Sequence, residues 1–240
     1  MGTERLDLTD ATLREWEATV LAADPELGVV VDRSAFYPGG GGQPPDHGVL
    51  IWGGVRSRVV DARKQDGEQW LVLAEGDPLP PVGTPVRGAI EDERRTLLMR
   101  THSGLHLLSG VVFRDYGSLV TGGNMEPGTA RMDFDLPEVP PDFKATVEAA
   151  CNAEVAADRA IEVKVLPRAQ AFAIPDIIRT ASNLVPPEVE LVRIVDIVGL
   201  DTQADAGTHV ASTRQIGRIE VVKMESKGRG FRRLRIRVSD

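Results

Sequence analysis

Three of the four histidines of this chain fall in two short patterns that suit metal chemistry. Thr101-His-Ser-Gly-Leu-His106 sets His102 and His106 four residues apart. On a helix that spacing puts both imidazoles on one face, about one turn apart, where they can share an ion. Further along, Asp205-Ala-Gly-Thr-His209 repeats the spacing with a carboxylate and an imidazole. Gly207 disfavours a regular helix there, so this pair is expected in a turn after a strand ending near Ile197. His102, His106, Asp205 and His209 together offer three nitrogens and one carboxylate oxygen, a donor set that suits zinc. Either pair alone is matched by ordinary histidines of a helix or turn; the joint use of three histidines in a histidine-poor chain favours a metal. His47 has no neighbour at ligand spacing and reads as a turn residue.

Two further tracts carry chemical information. Phe36-Tyr-Pro-Gly-Gly-Gly-Gly-Gln-Pro-Pro-Asp46 lacks the Gly-Lys-Ser/Thr ending of a phosphate-cradling loop, and no Gly-x-Gly-x-x-Gly stands between a strand and a helix. Nucleotide triphosphate and dinucleotide binding are therefore poor readings. Four consecutive glycines mean a backbone that turns tightly or approaches something closely, either as a structural loop or as a substrate-facing wall. The second tract is basic. From Ala211 onward nine Lys or Arg face three acids, a surplus of +6 in a chain of net charge −8, which leaves −14 for the rest. An acidic total argues against a nucleic-acid partner, but the total averages a segregated distribution. Lys227, Arg229, Arg232 and Arg233, with glycines among them, suit phosphate contacts; the other reading is a solvated edge strand.

These residues must be positioned by a fold, and the chain of 240 residues is long enough for one large domain or two small ones. The first ninety residues are strand-rich: Trp16–Ala23, Gly28–Arg33, Val49–Trp52, Arg56–Ala62 and Trp70–Leu73 are separated by Pro, Gly-Gly and Gln-Asp-Gly turns. Proline-rich loops over Gly76–Pro85 suit the end of a small barrel. Helical periodicity follows over about Asp92–Phe113, and a second helix is predicted from Pro141 to about Arg159. Strands are expected at Ile161–Leu166, Val189–Ile197, Arg218–Met224 and Phe231–Val238. The predicted class is α+β, with a small N-terminal β-barrel at 1–90 and an α+β domain at 91–240 carrying the metal motif and the basic tract. The single cysteine, Cys151, rules out a disulfide framework, suits a reducing compartment and reads as a packing residue of the second helix. No apolar run approaches a membrane span and the acidic N-terminus has no signal-peptide core, so a cytoplasmic protein with no membrane partner is expected.

Taken in order, Phe36-Tyr37 with Gly41-Gly42-Gln43, His102-x3-His106, Gly207-Thr-His-Val210 with Thr213 and Ile216-Gly217, and Glu225-Ser-Lys-Gly228 with Arg232-Arg233 form a recognisable series. It resembles the AlaX-type alanyl-tRNA editing proteins, free-standing relatives of the editing domain of alanyl-tRNA synthetase, in their longer form with a Gly-rich N-terminal domain. The resemblance runs from residue 36 to 233, nearly the whole chain. It implies a β-barrel joined to an α+β editing domain, and hydrolysis in trans of the ester joining serine, or glycine, to alanine tRNA. It also implies one zinc ion, held in the family by His-x3-His and Cys-x3-His. Here Asp205 stands where the cysteine would be and Ala206 replaces a glycine, so the fourth donor is a harder, more easily displaced oxygen.

The same resemblance gives the catalytic and metal set as His102, His106, Asp205 and His209, with Lys227, Arg229, Arg232 and Arg233 toward tRNA. Separating serine from alanine requires reading one hydroxyl. Ser103 is the first candidate, with Thr208, Gln43, Gly41 and Gly42 also facing substrate; the other reading of Ser103 is a hydroxyl bonded to its own helix backbone. Two alternatives stand beside this one: a deacylase for another aminoacyl-tRNA, and a non-catalytic tRNA-binding module whose metal site has decayed at Asp205.

Overall fold

A computed structural model describes residues 2–183 and 185–240. The chain divides into two compact units, Met1–Leu97 and Leu98–Asp240. The fold is α+β with an N-terminal barrel, as the residue pattern predicts.

The first unit contains β1 (Glu4–Arg5), β2 (Glu15–Asp24), β3 (Gly28–Val31), β4 (Arg33–Ser34), β5 (Gly48–Trp52), β6 (Val55–Gln65), β7 (Glu68–Leu73) and β8 (Pro85–Ile90). Six of them close into an antiparallel barrel in the order β2-β3-β7-β6-β5-β8, while β1 pairs with β4 in parallel. Closure removes the sheet edges. The alternation of β2 explains its seat: Trp16, Ala18 and Val20 are buried, Glu15 and Glu17 are not. Inside the barrel Trp16 meets Phe36 edge-on, ring centroids 5.0 Å apart. Both hairpin turns read from the sequence are present as two-residue loops, Gly53-Gly54 and Asp66-Gly67, with positive φ at both positions. Strand β8 was expected to be loop up to Pro85 and the start of a helix at Asp92; the short Pro-Val-Arg-Gly-Ala-Ile segment between them completes the barrel instead.

One buried ion pair organises the Gly-rich segment of this unit. Arg95 and Asp46 are both fully buried. Arg95 Nε donates to Asp46 at 2.9 and 3.0 Å, and its Nη1 and Nη2 donate to the carbonyls of Ala11 (2.8 Å) and Ala35 (2.6 Å). Asp46 also accepts the Tyr37 N–H at 2.7 Å. Between these anchors the chain reverses: Gly40 and Gln43 exchange main-chain hydrogen bonds, and the Tyr37 hydroxyl donates to the Gly40 carbonyl at 2.9 Å. Gly39, Gly40, Gly41 and Gly42 all have positive φ (78°, 126°, 59° and 88°), which accounts for the run of four glycines.

The second unit holds most of α1 (Asp92–Tyr116), then β9 (Val120–Glu126), β10 (Thr129–Asp135), α2 (Phe143–Ala156), β11 (Ile161–Pro167), a one-turn α3 (Arg168–Ala171), β12 (Leu191–Ile197), β13 (Asp201–Ala204), β14 (Arg218–Ser226) and β15 (Phe231–Ser239). Two antiparallel sheets form, β14-β15-β10-β9 and β11-β12-β13. The α1 stretch Thr101–Val112 is buried on every side, which makes it the central element of the core. At Gly110 a side chain would meet the Asp201 Cβ at 2.7 Å, so this glycine permits the close approach of β13 to the helix. α2 seals the outer edge of β14: Asn152 bonds both main-chain groups of Ile219, and Glu148 accepts the Val221 N–H at 2.8 Å. Cys151 is buried in that helix, and burial pushes its thiol up to about 12, in keeping with a packing role. Among the described residues no helix is long and apolar enough to cross a membrane.

Breaking a buried pair from one side leaves an uncompensated charge. Asp46→Ala should therefore destabilise the protein by about 3–5 kcal/mol in urea unfolding; a loss below about 1 kcal/mol, the range of a surface ion pair, would contradict this account of the loop.

Candidate metal centre

Two elements far apart in sequence bring the donors together. His102 and His106 project from one face of α1, at the spacing that the helix dictates. The other pair is placed by a β ladder. Ile194 is opposite Ala204, and the ladder continues one step further with the Asp205 N–H donating to the Arg193 carbonyl at 3.1 Å. The chain then turns sharply, its first bond being Gly207 N–H to Asp205 Oδ2 at 2.6 Å. A short strand, Asp201–Ala204, thus precedes the Asp205–His209 turn, where the sequence suggested a turn directly after Ile197.

One donor atom from each of His102, His106, Asp205 and His209 lies within 4.8 Å of all the others. Asp205 Oδ1 faces His102 Nε2 at 3.6 Å and His106 Nε2 at 3.9 Å, while His209 Nε2 stands 3.0 Å from Oδ2. The three rings are mutually packed, with centroids 4.5 to 5.0 Å apart. All four residues are buried except Asp205, whose side chain is 16% exposed.

The protonation of these groups suits a cation. Burial pushes His102 down to about 4, with His106 and Arg193 acting the same way and Asp205 opposing. Burial also holds His209 well below its ordinary 6.5, and the His102 charge adds to this. At Asp205 burial works against the charged form, but the surrounding imidazoles and their hydrogen bonds outweigh it and hold the carboxyl well below 3.8. At neutral pH His102 and His209 are therefore uncharged beside an ionised Asp205, the deprotonated forms that metal ligation demands. The buried Nδ1 of His106 has no hydrogen-bond partner, the one donor of the cluster left without support behind it.

Ser103, next to the first histidine, is fully buried. Its Oγ accepts the Val210 N–H at 3.1 Å and lies 3.2 Å from His209 Nδ1, so it ties the helix to the second motif. Thr208, next to His209 in sequence, is also buried. Gly41, Gly42 and Gln43 belong to the reversed loop of the first unit, with Gln43 buried. The basic residues stand on and beside the β14–β15 hairpin. Lys227 and Arg229 are exposed at its tip, and Arg232 turns a guanidinium N–H to the Phe231 carbonyl at 2.9 Å. Arg233 instead grips Asp133 with two hydrogen bonds of 2.6 and 2.7 Å, and Arg235 and Arg237 pair with Glu225 and Glu220.

Two groups escaped the sequence reading. Arg193, with a side chain 7% exposed, donates to the Asp205 carbonyl at 3.1 Å. Asp201 is buried and joins Arg179 Nε (2.8 Å) to Gln203 Nε2 (2.5 Å), holding the strand that delivers Asp205. The available signal was a charged residue inside an apolar run, Leu191-Val-Arg-Ile-Val195, since a buried arginine demands a partner.

Residues 192–235 match the model for the threonyl and alanyl tRNA synthetase second additional domain. Residues 10–94, which span the barrel, match the model for class II (A) tRNA synthetases. The alanyl-tRNA editing protein AlaX-M of Saccharolobus solfataricus is 35% identical over 97% of each chain. The chain belongs to the AlaX-M family of alanyl-tRNA editing proteins. The AlaX-M protein of Methanosarcina barkeri is 31% identical, again over 97% of both chains. An alanine–tRNA ligase of Pyrobaculum neutrophilum is 36% identical over 93% of this chain, which spans 25% of the ligase. This AlaX-M member has no sulfur donor in its cluster, since Cys151 lies in α2 and is absent from the group of four.

The depressed imidazoles tie stability to pH. A histidine at about 4 when folded and 6.5 when unfolded binds its proton later in the native state, so its stabilisation is full above 6.5 and is lost as pH falls toward 4. Metal-stripped protein should lose about 3 kcal/mol from His102 alone across that window, measured by chemical unfolding, and His102→Gln should flatten the loss. An equal pH slope in parent and variant would contradict the assignment.

Proposed function

We propose that this protein is a trans-editing deacylase that hydrolyses the ester of mischarged seryl-tRNA(Ala), with glycyl-tRNA(Ala) as a second substrate, at a zinc site formed by His102, His106, Asp205 and His209. One observation carries the reading: a buried set of three nitrogens and one oxygen within 4.8 Å, in a member of the alanyl-tRNA editing family. The donor chemistry fits zinc, and the ionised Asp205 carboxylate would balance part of its charge. When bound, zinc supplies Lewis acidity toward an ester carbonyl and makes a bound water more acidic.

The chain's own residues supply orientation. Gly207 N–H holds Asp205 Oδ2, which leaves Oδ1 directed at His102 and His106. A carboxylate bound by one oxygen is more readily displaced than a thiolate, which suits a site that must admit substrate. Ser103 serves the hydroxyl reading through proton accounting. With His209 offering its Nε2 lone pair, Nδ1 carries the hydrogen and donates to Ser103 Oγ. That oxygen then accepts from both Nδ1–H and the Val210 N–H, so its own hydrogen is left to donate to the serine hydroxyl. Alanine, lacking the hydroxyl, leaves that donor unpaired and is rejected. Thr208 and Gln43 are the further candidates for substrate contact, with Gly41 and Gly42 as backbone wall.

The tRNA contact is assigned to Lys227, Arg229 and Arg232 at the β14–β15 hairpin. Arg233, bound by Asp133, positions that surface and meets phosphate only where its outer edge allows. The protein would act in the cytoplasm on tRNA released by the synthetase.

Purified protein should release serine from seryl-tRNA(Ala) and spare alanyl-tRNA(Ala), and His106→Ala should abolish release. Normal turnover by that variant would sink the metal mechanism, and preferential attack on another mischarged tRNA would reassign the substrate. Replacing both Lys227 and Arg229 by Ala should weaken tRNA binding and reduce the slope of log K against log salt by about 2, roughly 1 per lost phosphate contact. An unchanged slope would place the RNA elsewhere.

A further inference from the structure

Arg193 bears on the centre from the middle strand of the β11-β12-β13 sheet, paired with Val165 on one side and adjoining Asp205 on the other. Its side chain is buried, and its contacts with Asp205 are threefold. Its carbonyl accepts the Asp205 N–H at 3.1 Å, its Nη1 donates to the Asp205 carbonyl at 3.1 Å, and the same nitrogen lies 3.9 Å from Asp205 Oδ2. Oδ2 takes the Gly207 N–H at 2.6 Å and lies 3.0 Å from His209 Nε2 and 3.9 Å from Arg193, while Oδ1 faces the two histidines of α1. We propose that Arg193 is a positioning residue that fixes the orientation of the Asp205 carboxylate: it clamps the main chain of that residue and approaches the Oδ2 side, so that Oδ1 stays directed at His102 and His106 and Oδ2 at His209. The proposal rests on the metal reading above and assigns a determinant that the histidine motifs do not contain.

The position of the residue supports this role over a purely electrostatic one. A guanidinium beside a dication repels it, so charge alone makes Arg193 unfavourable to metal binding. A fold that buries an arginine there must recover the cost from its hydrogen bonds, and the bonds recorded between Arg193 and Asp205 converge on the loop that carries the ligand. Outer partners of ligating carboxylates fix their orientation, and their loss costs about 10- to 100-fold in metal affinity. The two roles therefore predict opposite signs when the arginine is removed.

The full chain, stripped of metal, is titrated with Zn2+ and with Co2+ in competition with a chromophoric chelator, for the parent, Arg193→Lys and Arg193→Met. The clamp predicts that both variants bind about 10- to 100-fold more weakly, and that the visible Co2+ spectrum changes as the Asp205 carboxylate loses its fixed orientation. Unchanged or tighter binding in a variant that melts like the parent would overturn the assignment. If Arg193→Met does not fold, Arg193→Lys decides, because it keeps the charge and loses the planar fork. A parent that binds neither ion would instead overturn the metal reading, and this assignment with it.

Discussion

An ionised carboxylate set among three buried histidines is costly to build. Taking Asp205 out of water is paid back only by hydrogen bonds and nearby positive charge. The structure provides the Gly207 N–H at 2.6 Å and the Arg193 guanidinium at 3.9 Å. In the proposed zinc-bound form, a cation among the four donors would complete the balance, with the three imidazoles directing lone pairs toward it.

The surroundings of the cluster follow from holding it rigid. The Thr101–Val112 stretch of α1 has no exposed residue, so His102 and His106 sit on a core element. Gly110 lets β13 approach that helix, and the Asp201 contacts to Arg179 and Gln203 keep the strand in place one step before the ligand. Ser103 then joins helix and turn through His209 and Val210. Each support acts on the geometry of a donor atom, which is where a site's affinity and reactivity are set. The barrel unit shows the same device, with the Arg95–Asp46 pair fixing the two ends of the Gly-rich reversal.

Spacing made each half of the cluster legible, because four residues on a helix or in a tight turn is a local property. Their meeting was not local: it depends on a β12–β13 ladder whose second strand has four residues and little periodic signal. The β9–β10 hairpin was also missed, since Thr121-Gly-Gly-Asn124 has the composition of a loop and becomes strand only through pairing with β10. Charge counting located the basic tract, but register decided which cations are spent. Asp133 lies opposite Arg233, and Glu225 and Glu220 reach Arg235 and Arg237, so Lys227 and Arg229 at the tip are left outward. Arg193 shows in the sequence as a charge within an apolar run, but its partner is a neighbour across a ladder and not along the chain.

Asp205 as the oxygen donor of the cluster is the feature on which the proposed zinc site turns, and the ligand shell of a bound ion reports on it most directly. X-ray absorption at the zinc edge of the purified, zinc-loaded protein should show one ion per chain with three imidazole nitrogens and oxygen near 2.0 Å, and no sulfur shell. A sulfur shell near 2.3 Å, fewer than three imidazoles, or failure to retain one equivalent of metal would contradict it.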